Sequence, residues 1–123
     1  MRYMLLLHYA EADERSLGEE AIAAGRAAFA SYAATLEAAG VLIAAEVLRP
    51  SEDTTTLTLA DGVPRIQDGP FADTKEQLGG VFIVDVADLD AALDWAAQAP
   101  SARWGSVEVR PSAVHTVGGA WVA

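Results

Sequence analysis

From Arg2 to Tyr9 the chain is an almost unbroken apolar run that turns polar at Glu11, a pattern that predicts a buried strand. Ser16-Leu17-Gly18-Glu19 fits a capping box, in which the serine and glutamate side chains satisfy each other's free backbone donors. The stretch that follows, to Ala39, is alanine-rich and sets Ile22, Phe29, Tyr32, Ala33 and Leu36 at helical spacing. Gly40 is placed to close that helix. Residues 41–48 predict a second strand, stopped by Pro50. Residues 54–59 and 63–67 flank Asp61-Gly62, a strong signal for a tight hairpin turn. Residues 80–86 read as a further strand. Asp88 is placed to cap a second helix carrying Leu89, Ala92, Leu93 and Ala96 on one face and ending near Pro100. Residues 106–110 predict a last core strand, with a short extension through 113–117.

With the 54–67 hairpin set aside as an insertion, the order is β-α-β-β-α-β, the ferredoxin-like split βαβ arrangement of the α+β class. Its first and third core strands are central, which here are the two most apolar, residues 2–9 and 80–86. Both faces of these strands are apolar: Met4 and Leu6 alternate with Leu5 and Leu7, and Phe82 and Val84 with Val81 and Ile83. Two helices cover one face only, so the other predicts self-association into a homodimer. No repeat, linker or domain boundary interrupts the 123 residues, and one domain is expected.

Composition narrows the function classes. Eighteen acidic against eight basic residues give a net charge of −10, which disfavours nucleic acid and anionic lipid as partners. No apolar run approaches the roughly 20 residues that span a bilayer, and the start lacks a signal-peptide cleavage site. A cytoplasmic protein is expected. The absence of cysteine removes disulfides, thiolate catalysis and thiolate metal ligation. Walker-type and dinucleotide-binding glycine loops are absent, and no serine sits in a nucleophile elbow. Neither a cofactor nor a metal is expected.

The split βαβ topology brings His8, Glu46, Glu108 and residues 68–80 to one end of the sheet. His8 shares a face with Met4 and Leu6; it is either a general base oriented by Glu108 or a strand-end histidine bonded to nearby backbone. Glu46 interrupts an apolar strand and is paired, at the rim, or desolvated. Asp68 opens a turn in which its carboxylate accepts from the backbone two residues on; Pro70 presets φ and Phe71 fills an apolar pocket. Lys75 holds a carboxylate or phosphate, or pairs with Asp73 or Glu76. Ser106, Glu108 and Arg110 alternate onto one strand face, where Glu108 and Arg110 neutralise each other at an interface or position a polar ligand.

Asp68-Gly69-Pro70-Phe71, Thr74-Lys75-Glu76 and the Gly79-Gly80 pair together resemble the signature of the DGPF family within the YCII-related domains. The similarity continues through residues 81–100 and Val107-Glu108-Val109-Arg110-Pro111, and extends to residues 1–8 and 40–48. The resemblance implies a ferredoxin-like domain that dimerises through its sheets as a dimeric α/β barrel, among small bacterial proteins associated with sigma factors. Some relatives are proposed enzymes using a helix histidine and a nearby aspartate. The helix from Glu19 to Ala39 has neither, so that pair is not carried over. Two functions stay open. One is a domain binding a small anionic or polar molecule, a cofactor-independent enzyme of the lyase or isomerase kind, with catalytic His8, Asp68 and Glu108 and with Glu46, Phe71, Lys75 and Arg110 lining a pocket between helices and sheet or between subunits. The other is a non-enzymatic regulatory module that binds a protein partner.

Overall fold

The computed structural model describes residues 1–123 apart from the side chain of Glu14. Eight strands and three helices form an α+β fold with antiparallel sheets: β1 (Arg2–Tyr9), α1 (Glu11–Arg15), α2 (Glu19–Ala38), β2 (Leu42–Val47), β3 (Thr55–Ala60), β4 (Val63–Asp68), β5 (Gln77–Asp85), α3 (Leu89–Ala97), β6 (Gly105–Pro111), β7 (His115–Val117) and β8 (Ala120–Val122). The main sheet has the order β2-β5-β1-β6, every neighbouring pair antiparallel, so the two most apolar strands occupy the centre. Its edges, β2 and β6, do not meet, and the chain closes no barrel by itself.

Period-two alternation decides which side of the sheet is buried. Tyr3, Leu5 and Leu7 of β1 join Phe82 and Val84 of β5 in a core completed by Tyr32 and Leu36 of α2 and Ala92 and Ala96 of α3. Met4, Leu6, Val81 and Ile83 point the other way and are only half-buried. Tyr32 and Phe82 meet edge to face at 5.1 Å, and the Tyr32 hydroxyl donates to the Trp95 carbonyl at 2.7 Å, joining α2 to α3. Burial pushes the Tyr32 phenol up to about 12.

Several local signals resolve differently from the pattern. Gly18, with φ 84°, stands at the α2 N-cap and no side chain caps it; Ser16 Oγ instead donates back to the Asp13 carbonyl at 2.7 Å. The expected capping box does not form because residues 11–15 wind into α1 and turn Ser16 away from α2. The Asp88 cap does form, accepting from the Ala91 N–H at 2.9 Å. On α3 the buried face is Ala92 and Ala96, with Ala91 and Trp95 packed beside them, while Leu89 and Leu93 are exposed. β5 begins at Gln77, three residues earlier than expected, which leaves residues 69–76 as the unpaired loop. The C-terminal extension is a small hairpin, β7–β8, turning at Gly118-Gly119 with positive φ at both. The β3–β4 hairpin turns at Asp61-Gly62, where both residues have positive φ as a tight hairpin turn requires. No helix is long and apolar enough to cross a membrane.

Candidate functional site

The face of the sheet turned away from the helices collects the polar residues of β1 and β6. The register sets Met4 opposite Arg110, Leu6 opposite Glu108 and His8 opposite Ser106, so these side chains share that face. His8 and Glu108 are diagonal neighbours, within reach of long side chains. His8 Nε2 lies 2.5 Å from Glu108 Oε1; the nitrogen is buried, and the approach is close but poorly directed for a hydrogen bond. Glu108 is 61% exposed, so a small rotation of its carboxylate is free to align the pair.

The loop of residues 69–76 is fastened beside this pair. Ser106 Oγ donates to Glu76 Oε2 at 3.0 Å, tying the loop to β6 next to His8. Gln77 Nε2 donates to the carbonyls of Ala72 and Thr74, and Thr74 Oγ1 donates to the Glu76 carbonyl at 2.5 Å. At its other end, the Gly69 N–H donates to the Thr54 carbonyl at 2.7 Å and Thr56 Oγ1 to the Gly69 carbonyl at 2.8 Å. The register slips between Leu7 and His8, where Gly79 is the extra residue on β5. The Tyr9 ring lies where a Cβ at Gly79 would stand, so this bulge needs glycine. The bulge thus sits directly beside His8, where the strand end is re-aimed.

The remaining sequence candidates scatter. Glu46 is opposite Val81, in a row that continues through Leu6 to Glu108. It shares the face with Glu108 but stands three strands away, about 14 Å at the usual strand spacing, and is not brought together with His8. Arg110 sits two residues beyond Glu108 and has no ion-pair partner among the described residues. The turn bond expected of Asp68 does not form, because the residue two positions on is Pro70, which has no N–H. Phe71 is 88% exposed and fills no pocket of this chain. Lys75 is exposed, and neither Asp73 nor Glu76 pairs with it. A cleft of about 1670 Å³ does lie between α2 and the sheet, but of the candidates only Glu46 lines it. His8, Glu108 and Arg110 thus share the open face, and none of the three lines the helix-side cleft. The tie between Glu76 and Ser106 was missed: alternation put Ser106 on the right face, and nothing in its spacing named a partner in the loop.

The YCII-related domain model matches residues 1–113. The uncharacterized protein R00369 of Rhizobium meliloti (strain 1021) is 45% identical over 73 residues, which are 58% of this chain and 59% of that protein. The chain thus spans about three-fifths of the length of the curated relative it matches.

Proposed function

The chain belongs to the YCII-related domain family, and we propose that it binds a small carboxylate or phosphate on its open sheet face and moves a proton on it without a cofactor, in a step of the lyase or isomerase kind. The observation that carries this reading is the His8–Glu108 contact beside a loop anchored to the same strand. A carboxylate against Nε2 selects a tautomer and orients the ring, leaving Nδ1 to take or return the proton. Arg110, cationic and without an ion-pair partner among the described residues, and Lys75 in the adjacent loop are the groups that hold the anion. In this reading the strand order β2-β5-β1-β6 is the ferredoxin-like split βαβ arrangement, with β3–β4 inserted. The open face has no lid of its own. A second copy packed sheet to sheet turns it into a pocket and shields the apolar residues between His8 and Glu46, giving the dimeric barrel. Asp68 at the end of β4 and Phe71 on the exposed loop that follows act across that interface.

Thermal-shift measurements with small carboxylates and phosphates test the reading on the wild type, His8→Ala, Glu108→Gln and Arg110→Ala. A ligand that binds the folded state raises the midpoint, and the rise is expected to shrink in all three variants. Equal stabilisation of His8→Ala and Arg110→Ala would remove the open face as the site. One observation favours the second reading, a protein-binding module: Leu57, Leu59 and Ile66 of the β3–β4 hairpin are each at least 60% exposed. A flat ligand screen on a dimer that still exposes these residues would favour it.

A further inference from the structure

The structure assigns a second ligand site, on the opposite side of the sheet from His8 and Glu108: we propose that the cleft under α2 takes an elongated amphipathic carboxylate, its apolar tail along the helix and its head on Arg26 and Arg103. The site is independent of the open-face reading. Ile22, Gly25, Phe29, Tyr32 and Leu36 form one stripe of α2 at helical spacing, yet only Tyr32 and Leu36 are buried in the core. Phe29 is half-buried with its ring stacked on Phe82 at 6.4 Å, whereas Ile22 and Gly25 before it have no such contact and stand over a cleft of about 1670 Å³ whose lining is mainly apolar. The cleft is open to solvent along its length, and its volume is far larger than that of a single side chain. From Ile22 to Phe29 the helix runs about 10 Å, a length suited to an extended tail and not to a compact polar ligand.

Gly25 is the second observation. It is the one glycine in a helix whose other small positions are mostly alanine, and alanine is the better helix former. Its backbone lies outside the left-handed region, and beyond its chain neighbours and its own helical turn nothing among the described residues lies within 4 Å of where a Cβ would stand. Neither conformation nor packing within the chain calls for glycine here. The missing methyl widens the cleft at the centre of the stripe, which serves an occupant.

Charge names the class of that occupant. Three of the eight basic residues, Arg26, Arg49 and Arg103, line this one cleft of a chain with net charge −10. Arg49 is held by Asp53 at 2.8 Å, whereas Arg26 and Arg103 have no ion-pair partner among the described residues. The lining also includes Glu11, Asp13 and Glu46, of which Glu46 lies by register in the open-face row with Leu6 and Glu108. Glu11 is occupied by the Ser51 N–H and hydroxyl at 2.8 and 2.7 Å. Unpaired guanidinium groups beside an apolar wall fit a ligand with one anionic head, which arginine grips in a planar, two-point fashion.

Titration calorimetry of the intact protein with dodecanoate, and with dodecyltrimethylammonium as the charge-reversed probe, tests the proposal, both kept below micelle formation. Saturable dodecanoate binding is expected, weakened about tenfold or more in the Arg26→Ala/Arg103→Ala double variant, as loss of charged hydrogen bonds predicts. Gly25→Leu is expected to fold, with a thermal midpoint no lower than wild type, and to lose dodecanoate binding. Gly25→Ala, which adds one methyl only, is the gentler variant and is expected to melt higher while binding more weakly. Comparable uptake of the cationic probe, absence of saturable dodecanoate binding, or unchanged binding by Gly25→Leu each overturns the proposal. Dissociation of Gly25→Leu into monomers, with a wild type indifferent to dodecanoate, would also overturn it and give the cleft to a second copy.

Discussion

Tyr32 shows how a single buried group sets a pH limit. Its ring is 6% exposed, and its hydroxyl reaches only the Trp95 carbonyl. Burial raises its pKa from 10.0 to about 12, because the phenolate would lose its water. The folded chain therefore holds this proton more tightly than the unfolded one. The stabilisation is complete below the unfolded pKa and is lost as pH rises from 10.0 to about 12. Urea unfolding across that window is expected to show this loss, and Tyr32→Phe to remove its share of it, at a cost of about 1 kcal/mol near neutrality for the deleted hydrogen bond. A second prediction rests on Gly105, where an added Cβ would run into the His8 carbonyl of β1, a backbone atom that cannot swing aside. Gly105→Ala is expected to destabilise by about 2 kcal/mol or more, read from the denaturant midpoint, and to disturb the His8 end of the sheet. At this scale the sequence was partly legible. Period two set His8 with Met4 and Leu6, and Ser106, Glu108 and Arg110 together on one face of the last strand, because strand alternation is rigid; that the two sets share a face came from the β1–β6 register. The reach of Glu76 to Ser106 was not, because a loop carboxylate has no periodicity to read.

Elements were most legible where one residue type dictates the backbone. Asp61-Gly62 marked the β3–β4 turn because both residues must take positive φ. Asp88 marked the start of α3 because a carboxylate there meets the free N–H of Ala91. Ser16 carried the same kind of signal and was misleading, since α1 consumed the preceding residues and the hydroxyl turned back to Asp13. The contrast is measurable. Asp88→Ala is expected to cost about 1 kcal/mol as a lost N-cap, while Ser16→Ala is expected to change stability little, both read from urea midpoints. The exposure of Leu89 and Leu93 has a related origin. On α3 the small residues Ala92 and Ala96 let the helix approach the sheet closely, and the leucines fall outside that contact. Spacing alone gave the right period and placed Ala92 and Ala96 correctly, but centred the face too far toward Leu89 and Leu93.

For the whole molecule, the open sheet face is the feature that the chain by itself leaves unresolved. Met4, Leu6, Val81 and Ile83 form a contiguous half-buried patch at the sheet centre, flanked by ionisable residues at the edges. A patch of this kind favours association of two copies, and Leu6→Lys, at its centre, is expected to yield a monomer in sedimentation equilibrium with an unchanged fold by circular dichroism. Salt dependence then distinguishes what holds the copies together. Each copy carries a net charge of −10, so association brings like charges close. If the interface is governed by Met4, Leu6, Val81 and Ile83, raising the salt screens that repulsion and tightens the dimer. If it is governed by Arg110 meeting a carboxylate such as Glu46 of the second copy, the same salt screens an attraction and loosens it. The patch is larger than the Arg110 head group beside it, so the expected outcome is a dissociation constant that falls as salt rises. In Arg110→Ala, which raises the net charge to −11 per copy, that fall is expected to be steeper; a flatter dependence would give the arginine pairing the governing role.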